Sequence, residues 1–186
     1  MNDDITYRPL RLGDLSPALY RGIDRYQHYT RLWRKVGGIW RVVEEEHTEY
    51  WTEADYLRVS ERSARIIRAG GTVFGAFLGE RLVGHACASA QLFGSKKQYA
   101  ELKSLQVSCD MRGRGVGKTL FFLACAAAKG FGAEKLYISA NPSEATQAFY
   151  AKCGCVESAE EYPPAVKNAP QDRQLERSLA DIERQF

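Results

Sequence analysis

The sequence predicts a mixed α/β fold in which a central, mostly antiparallel sheet is flanked by helices. Three apolar, strand-like runs at 72–78, 81–90 and 99–108 follow one another without an intervening helix, as in an antiparallel meander. A helical pattern at 115–129 then leads from the third of these strands to another strand at 135–140. A helical crossover of this kind joins parallel strands, so the predicted sheet combines both strand directions.

The first third of the chain is predicted as one strand followed by an enlarged helical region. The strand is expected at 5–10. Ser16 followed by Pro17 is a typical helix start, because the hydroxyl can cap the helix and proline suits its first turn. The helical region is expected at about 16–70, where a glycine pair ends it, with an interruption around 37–43 as a short hairpin or loop.

The last part of the chain is predicted as a helix and two weaker strands. The helix is expected at 142–152, and Gly154 follows it as a stop signal. The two strands are expected at 155–161 and 173–179, joined through prolines. No repeat, low-complexity tract or linker divides the 186 residues, so the chain is predicted to be a single domain over 1–186.

The composition is that of a soluble globular protein, and it argues against several function classes. The chain is 45% hydrophobic and 26% charged, and its net charge of +3 gives no case for a nucleic-acid partner. The longest apolar run, 120–128, is too short to cross a bilayer, and the N-terminus lacks a signal-peptide pattern. The five cysteines form no C-x-x-C pair and the histidines have no metal-ligand spacing. We therefore predict a cytoplasmic protein with no membrane contact and no metal.

The most informative stretch is a glycine-rich loop between a strand and a helix. Three glycines alternate there with other residues, most of them basic: Arg112, Gly113, Arg114, Gly115, Val116, Gly117 and Lys118. Glycines let a ligand approach backbone N–H groups, and the helix start adds unpaired donors and a partial positive charge. The loop therefore predicts a site for a phosphate or pyrophosphate.

Three phosphate-binding patterns compete for this loop, beside the alternative of a glycine-rich turn without a ligand. A Walker loop would need a glycine where Arg112 stands. The dinucleotide fingerprint fails at its last glycine, which falls on Lys118 or Leu120. The third pattern, [QR]-x-x-G-x-[GA], is matched without exception by Arg112, Gly115 and Gly117.

This third pattern and the order of elements resemble the GNAT superfamily of N-acetyltransferases. The resemblance is strong over about 72–154 and weaker before it. It implies the GNAT fold, whose fourth and fifth strands splay apart to admit acetyl-coenzyme A (acetyl-CoA). Backbone groups of Leu105, Gln106 and Val107 are then expected to pair with the pantetheine arm. The N–H groups of residues 112–118 are expected to hold the pyrophosphate.

Two polar side chains near the following helix extend the resemblance. Taken locally, Asn141 caps this helix, with Pro142 and Glu144 in its first turn. The resemblance adds a contact between Asn141 and the cofactor arm. Tyr150 lies on the more polar face of the helix, and the resemblance implies that its hydroxyl meets the cofactor sulfur. The alternative for Tyr150 is a half-buried aromatic ring packed beside Phe149.

Glu101 is the candidate general base. A carboxylate within an otherwise apolar strand is costly if it is buried and unpaired. Histone-type members of the family carry their base at the position that Glu101 resembles, whereas other members place it elsewhere or use water. The alternative is a surface residue that shares a strand face with Lys103.

Together these residues predict an acetyl-CoA-dependent N-acetyltransferase, an acyltransferase that acts on a primary amine by direct attack in a ternary complex. A base must deprotonate an amine whose pKa lies near 10, and Tyr150 would protonate the leaving thiolate. The acceptor is predicted to be a small molecule. The alternatives are a peptide or protein amine, a non-catalytic acyl-CoA-binding module and, on the Walker-like ending, a nucleoside triphosphatase.

The long segment 20–56 is the expected acceptor region, but its role stays open. Its aromatic side chains could line a pocket for a small amine or could form the core of the helical region. Its acidic run at 44–53 could attract a cationic acceptor. The acyl chain length is not determined by the sequence, and a homodimer is left open.

Overall fold

The computed structural model describes residues 4–182, which form a seven-stranded sheet, a separate two-stranded hairpin and flanking helices. The strands are β1 (Ile5–Pro9), β2 (Gln27–Val36), β3 (Ile39–Glu49), β4 (Thr72–Leu78), β5 (Arg81–Ala88), β6 (Tyr99–Val107), β7 (Lys135–Ala140), β8 (Val156–Glu157) and β9 (Arg173–Ser178). The α-helices are α1 (Pro17–Tyr20), α2 (Glu53–Arg68), α3 (Val116–Gly130), α4 (Glu144–Lys152) and α5 (Pro163–Asn168). None of these helices combines the length and apolar character needed to cross a membrane.

The sheet is mixed and mostly antiparallel, as predicted. Its strand order is β1-β4-β5-β6-β7-β9-β8, and β6 with β7 is its parallel pair. The crossover between these two strands is α3, so the strand–helix–strand unit read from the sequence is confirmed. Helices α3 and α4 pack on one face of the sheet, whereas α1 and α2 pack on the other.

Strands β6 and β7 separate after a short paired stretch. Their register ends at Glu101 opposite Tyr137. The register between β5 and β6 shifts between Cys87 and Ala88, which leaves Lys103 as an extra residue in β6. A bulge of this kind bends its strand, so β6 turns away from β7 immediately after their last pair. The expected splay, between the fourth and fifth strands of the predicted order, thus lies between β6 and β7.

The predicted helical region at 16–70 is wrong over its middle. Residues Gln27–Val36 and Ile39–Glu49 form the β2–β3 hairpin, in the place where the sequence left room only for a short hairpin or loop. Gly37 and Gly38 have φ of 60° and 82°, the conformation of the two-residue turns that join twisted strands. β-Branched and aromatic residues around the turn favour strands. An ion pair between the two strands, Arg34 with Glu45, also joins them, although Arg34 lies directly opposite Arg41.

Two elements near the C-terminus also differ from the prediction. The strand expected at 155–161 is reduced to Val156–Glu157. Pro163 and Pro164, which were expected to lie in a connection, begin a short helix, α5, because proline suits the first turn of a helix. Pro170 lies in the connection between α5 and β9, as predicted. The strand expected at 173–179 is confirmed as β9, which pairs with β7 along its whole length.

Candidate active site

A cavity of about 850 Å³ occupies the gap between β6 and β7 and continues toward the β2–β3 hairpin. Its walls are β6, the glycine-rich loop, α4, the C-terminal end of β7 and the start of the hairpin. The residues that line it include Arg25, Tyr29, Ser104, Leu105, Gln106, Val107, Arg112, Gly113, Gly115, Gly117, Lys118, Ser139, Asn141, Phe149, Tyr150, Cys153 and Asp172.

The far half of β6 presents one backbone edge to this cavity. Leu105, Gln106 and Val107 pair with Ala86, His85 and Gly84 of β5 on their other edge. The three residues line the cavity and have no partner in the β7 register. Backbone groups on such an edge need hydrogen-bond partners, and the amides of an extended ligand can supply them. The pantetheine contact predicted for these residues stays a prediction, and the geometry is compatible with it.

The glycine-rich loop has the backbone that a bound anion needs. Gly113 and Gly115 have φ of 76° and 83°, in the left-handed region that favours glycine, and a Cβ at either position would meet no atom within 4 Å. Gly115 caps α3, whose first intrahelical bond runs from Thr119 N to Gly115 O. The N–H groups of residues 116–118 precede this bond and therefore have no partner within the helix. A diphosphate fits this open helix start.

Close packing fixes the position of this helix start. A Cβ on Gly117 would lie 3.4 Å from both the Phe149 ring and the Val107 side chain, so the helix backbone lies close to α4 and β6. Val116 is buried in the core and does not face the cavity. The predicted loop residues therefore divide into those that line the cavity and those, such as Val116, that hold the loop in place.

Three basic residues of the loop take different positions. Arg112 and Lys118 line the cavity, whereas Arg114 contacts Met111 Sδ at 3.4 Å and is not among the lining residues. Desolvation and then the nearby Arg25 guanidinium lower the pKa of Arg112. Arg25 is itself paired with Glu49, so the positive charge beside the loop comes from Arg112 and Lys118, and this charge suits a phosphate ligand.

Tyr150 is 7% exposed and lines the cavity from α4. Its ring contacts those of Phe121 and Phe149, at centroid distances of 5.8 and 5.1 Å. Burial, with smaller effects from Cys155 and Cys153, raises the pKa of Tyr150. A tyrosine keeps its proton at neutral pH with or without this shift, so the hydroxyl can donate a hydrogen bond to a departing sulfur, while burial makes it a weaker acid. Both the packing and the functional interpretation of this residue are compatible with its position.

Asn141 is not the cap of α4, contrary to the local interpretation. Ser143 is the cap, and its hydroxyl accepts a bond from Thr146 N at 3.3 Å. Asn141 Oδ1 accepts a bond from Ser143 N at 2.9 Å, which orders the turn before the cap. Its Nδ2 donates to Glu49 Oε1 at 3.2 Å and lies 3.5 Å from the Tyr29 hydroxyl. The side chain thus lines the cavity while linking α4 to the hairpin.

Glu101 occupies a different environment from the other predicted site residues. It is 8% exposed, and its carboxylate pairs with the Lys103 ammonium group. Lys103 lines the cavity, whereas Glu101 does not. The alternative of a surface residue is wrong because Glu101 is buried, although its carboxylate does pair with Lys103. Its role as the base stays a prediction.

Several polar residues where the cavity reaches the β2–β3 hairpin were missed by sequence reasoning. Tyr29 donates a hydrogen bond to Glu49 Oε1 at 2.5 Å, and Arg25 Nη2 pairs with Glu49 Oε2 at 2.8 Å. Asp172 lines the cavity and accepts a bond from Ser139 Oγ at 3.1 Å. Asp172 stands alone just before the last strand, and no local pattern in the sequence marks it. Glu49 lay within the acidic run, which indicated the region without distinguishing this residue.

The aromatic residues of the hairpin region serve mainly as structure. Arg173 Cζ lies 4.7 Å from the Trp33 ring centroid and 5.1 Å from that of Trp40. Trp51 and Tyr56 pack beside α1 and α2 in the core. Tyr29, by contrast, lines the cavity. Tyr26 and Tyr50 are exposed and do not line the cavity, so the aromatic residues of this segment divide among cavity, core and surface.

Comparison with known proteins shows which family the sequence resembles. The sequence model described as "Acetyltransferase (GNAT) family" matches residues 36–155. The matched segment includes the hairpin from its turn onward, the splayed strands, the glycine-rich loop and α4. None of the curated proteins compared with the chain matches it significantly.

Solved structures of acetyltransferases share the fold at low sequence identity. Nourseothricin acetyltransferase superposes with a TM-score of 0.67 at 17% identity, over 94% of this chain and 98% of that chain. A putative streptothricin acetyltransferase from Bacillus anthracis, in complex with acetyl coenzyme A, gives a TM-score of 0.64 at 17% identity, over 93% and 96% of the two chains. The PaiA N-acetyltransferase of Thermoplasma acidophilum, in complex with coenzyme A, gives 0.58 at 17% identity, over 94% and 99%.

Proposed function

The chain belongs to the GNAT family of acetyltransferases, and from that premise we propose that it moves the acetyl group of acetyl-CoA to a primary amine of a small molecule. The observation that carries this proposal is the continuity of one cavity. The same space is lined by the glycine-rich loop and by the polar residues around Tyr29, Asn141 and Asp172. A thioester held by the loop can therefore meet an acceptor held by the hairpin, in one ternary complex.

We propose that acetyl-CoA is held mainly by backbone groups. The N–H groups at the start of α3 would bind its diphosphate, with Arg112 and Lys118 adding positive charge. The open edge of β6 at 105–107 would pair with the pantetheine amides. When bound, acetyl-CoA supplies the activated acyl carbon. Asn141 is tied to Glu49 and Ser143, so its contact with the ligand would be made by a side chain that is already oriented.

The proposed chemistry uses donors that face the same cavity. A backbone N–H of Leu105 or Val107 would stabilise the oxyanion of the tetrahedral intermediate. Tyr150, whose buried hydroxyl keeps its proton, would donate that proton to the departing thiolate. Removal of a proton from the acceptor amine is the remaining requirement, because only the neutral amine can attack.

The acceptor end supports a small, cationic amine. Glu49 and Asp172 place negative charge beside the polar groups of Tyr29, Ser139 and Asn141. Two of the similar structures are named as acetyltransferases of nourseothricin and streptothricin, which agrees with a small-molecule acceptor. We also propose that the residues over 1–186 form one acetyltransferase domain, since the described hairpin packs directly on the start of α4 through Trp33 N and Pro142 O at 2.8 Å.

A thiol-release assay with acetyl-CoA tests this function. The acceptors are spermidine, kanamycin, free L-lysine and a lysine-containing peptide, each run against a reaction without acceptor. Faster release with one of the small amines than with the peptide is expected. Thiol release with the peptide and with none of the small amines would mean that the acceptor is a peptide amine and not a small molecule. Tight acetyl-CoA binding by calorimetry without release in any reaction would indicate a non-catalytic acyl-CoA-binding protein.

A further inference from the structure

Asp172 lies at the acceptor end of the cavity, just before β9. Because Arg173 of β9 pairs with Ala140 of β7, Asp172 stands beside the end of β7, where the gap is open. Its side chain is half-buried and lines the cavity. Ser139 Oγ donates to Asp172 Oδ2 at 3.1 Å, which holds one carboxylate oxygen and leaves the other for a ligand.

The charged groups around Asp172 leave its carboxylate without a positive partner. Within residues 4–182, no basic side chain forms an ion pair with Asp172. Glu49 of β3 is the neighbouring charge that acts on it, and Tyr150 of α4 is close enough to be affected by Asp172 in turn. Arg25 is paired with Glu49, and Arg173 lies over two tryptophan rings.

This environment disfavours an isolated negative charge and favours one with a cation beside it. Burial raises the pKa of Asp172, Glu49 raises it further, and the hydrogen bond from Ser139 lowers it. An ammonium group in the cavity would stabilise the carboxylate by direct attraction. A carboxyl whose pKa is moved toward neutrality is also better matched to accept a proton from an amine.

We infer that the Asp172 carboxylate binds the ammonium form of the acceptor and takes the proton that must leave before the amine attacks. This inference rests on the proposed function and assigns to Asp172 the role that the sequence predicted for Glu101. Two geometric facts favour Asp172. It lines the same cavity as Tyr150, and its carboxylate is not occupied by a lysine, whereas the Glu101 carboxylate is paired with Lys103.

The proton balance of the reaction is complete with these two groups. The ammonium nitrogen carries three protons, and the amide that it becomes keeps one. Asp172 takes one proton and releases it to solvent through the open cavity. The nitrogen lone pair forms the bond to the acyl carbon, and the carbon–sulfur bond breaks with its electrons on sulfur. Tyr150 protonates that thiolate and regains a proton from the tetrahedral nitrogen, so one proton leaves in total.

The test is the pH dependence of kcat/KM in four variants, with the best acceptor of spermidine, kanamycin and L-lysine. Asp172→Asn keeps the shape of the side chain and its bond with Ser139 but cannot take a proton. It is expected to lower kcat/KM on the order of 10²-fold and to abolish the acidic limb of the wild-type profile. Calorimetric affinity for acetyl-CoA should change less than threefold. Asp14→Asn, the same change beside Arg8 on the surface, should match the wild type.

Ser139→Ala tests the inference independently, in case Asp172→Asn fails to fold. Ser139→Ala removes the hydrogen bond that lowers the pKa of Asp172, so the acidic limb should move to higher pH while the plateau above it is retained. An unchanged acidic limb in both Ser139→Ala and Asp172→Asn would overturn the inference. Loss of the acidic limb in Glu101→Gln, with the limb retained in Asp172→Asn, would also overturn the inference. A wild-type protein that acetylates none of the amines would instead overturn the proposed function, and this inference with it.

Discussion

The Asn141 side-chain amide donates a hydrogen bond to Glu49 Oε1 at 3.2 Å, across 92 residues of sequence. This bond joins the end of the β2–β3 hairpin to the turn before α4. The Trp33 N–H, which donates to Pro142 O at 2.8 Å, reinforces the same junction. The hairpin therefore forms a fixed wall of the cavity, and Glu49 connects that wall to Arg25 and Tyr29. The residues proposed to bind the acceptor are thus drawn from distant parts of the chain.

Replacement of Tyr150 by phenylalanine tests its predicted contact with the leaving thiolate. We expect kcat to fall by about 10²-fold and the Kd for acetyl-CoA to stay nearly unchanged, because only the proton donor is lost. Steady-state kinetics and calorimetry measure the two quantities. Tyr20→Phe is the matched control, since it also removes a buried tyrosine hydroxyl. That hydroxyl donates to Ser63 Oγ at 2.6 Å and does not line the cavity. Equal loss of kcat and affinity in Tyr150→Phe would mean that the ring only packs.

Replacement of Gly115 by glutamate tests the diphosphate site. The new carboxylate would repel the ligand at the helix start, and acetyl-CoA binding measured by calorimetry should be abolished. Gly132→Glu is the matched control. Gly132 is also exposed, its φ of 90° is similarly positive, and a Cβ there meets no atom within 4 Å. The two variants should share the backbone strain, so normal binding in Gly115→Glu would contradict the loop assignment.

Replacement of Glu49 by glutamine tests electrostatic attraction of the acceptor. Glu49 is bonded to three residues that line the cavity, whereas Glu44 on the same strand is exposed. We expect Glu49→Gln to raise the acceptor KM about tenfold, equivalent to about 1.4 kcal/mol. Glu44→Gln should leave that KM unchanged. Thermal unfolding of both variants shows whether loss of the Arg25 pair has altered the fold. An acceptor KM of Glu49→Gln identical to that of the wild type would contradict the electrostatic attraction.

The buried His85 should make the free energy of unfolding depend on pH. Burial, with a smaller effect from Arg62, lowers the pKa of His85 from 6.5 to about 3. Between these values the unfolded chain binds a proton that the folded chain does not, so stability decreases as pH falls. The slope from this residue is at most about 1.4 kcal/mol per pH unit.

Urea unfolding at pH 7 and pH 5 measures this effect. His85→Gln should lose less stability between the two values than the wild type does. His28→Gln, a change at an exposed histidine, should follow the wild type. Parallel pH dependence in the wild type and His85→Gln would show that the folded protein accommodates the protonated ring.

The parts of the fold that were predicted well share a strong local signal. The strands at 72–78 and 135–140 have the observed bounds, because each is a short apolar run between turn signals. The hairpin was predicted as helix because only Leu32 is buried along β2, so no apolar face repeats at every second residue. A strand that exposes most of its side chains carries little of the two-residue alternation that distinguishes it from a helix.

Local chemistry was sufficient for the glycine-rich loop, whose turn, helix start and charge lie within seven consecutive residues from Arg112 to Lys118. The polar groups where the cavity reaches the hairpin, which we propose bind the acceptor, could be recognised only in the folded chain. Asp172, Glu49 and Asn141 come together only because β9 pairs with β7 and the hairpin packs against α4. A backbone conformation follows from neighbouring residues, but the burial and charge that define a reactive carboxylate depend on contacts between residues far apart in sequence.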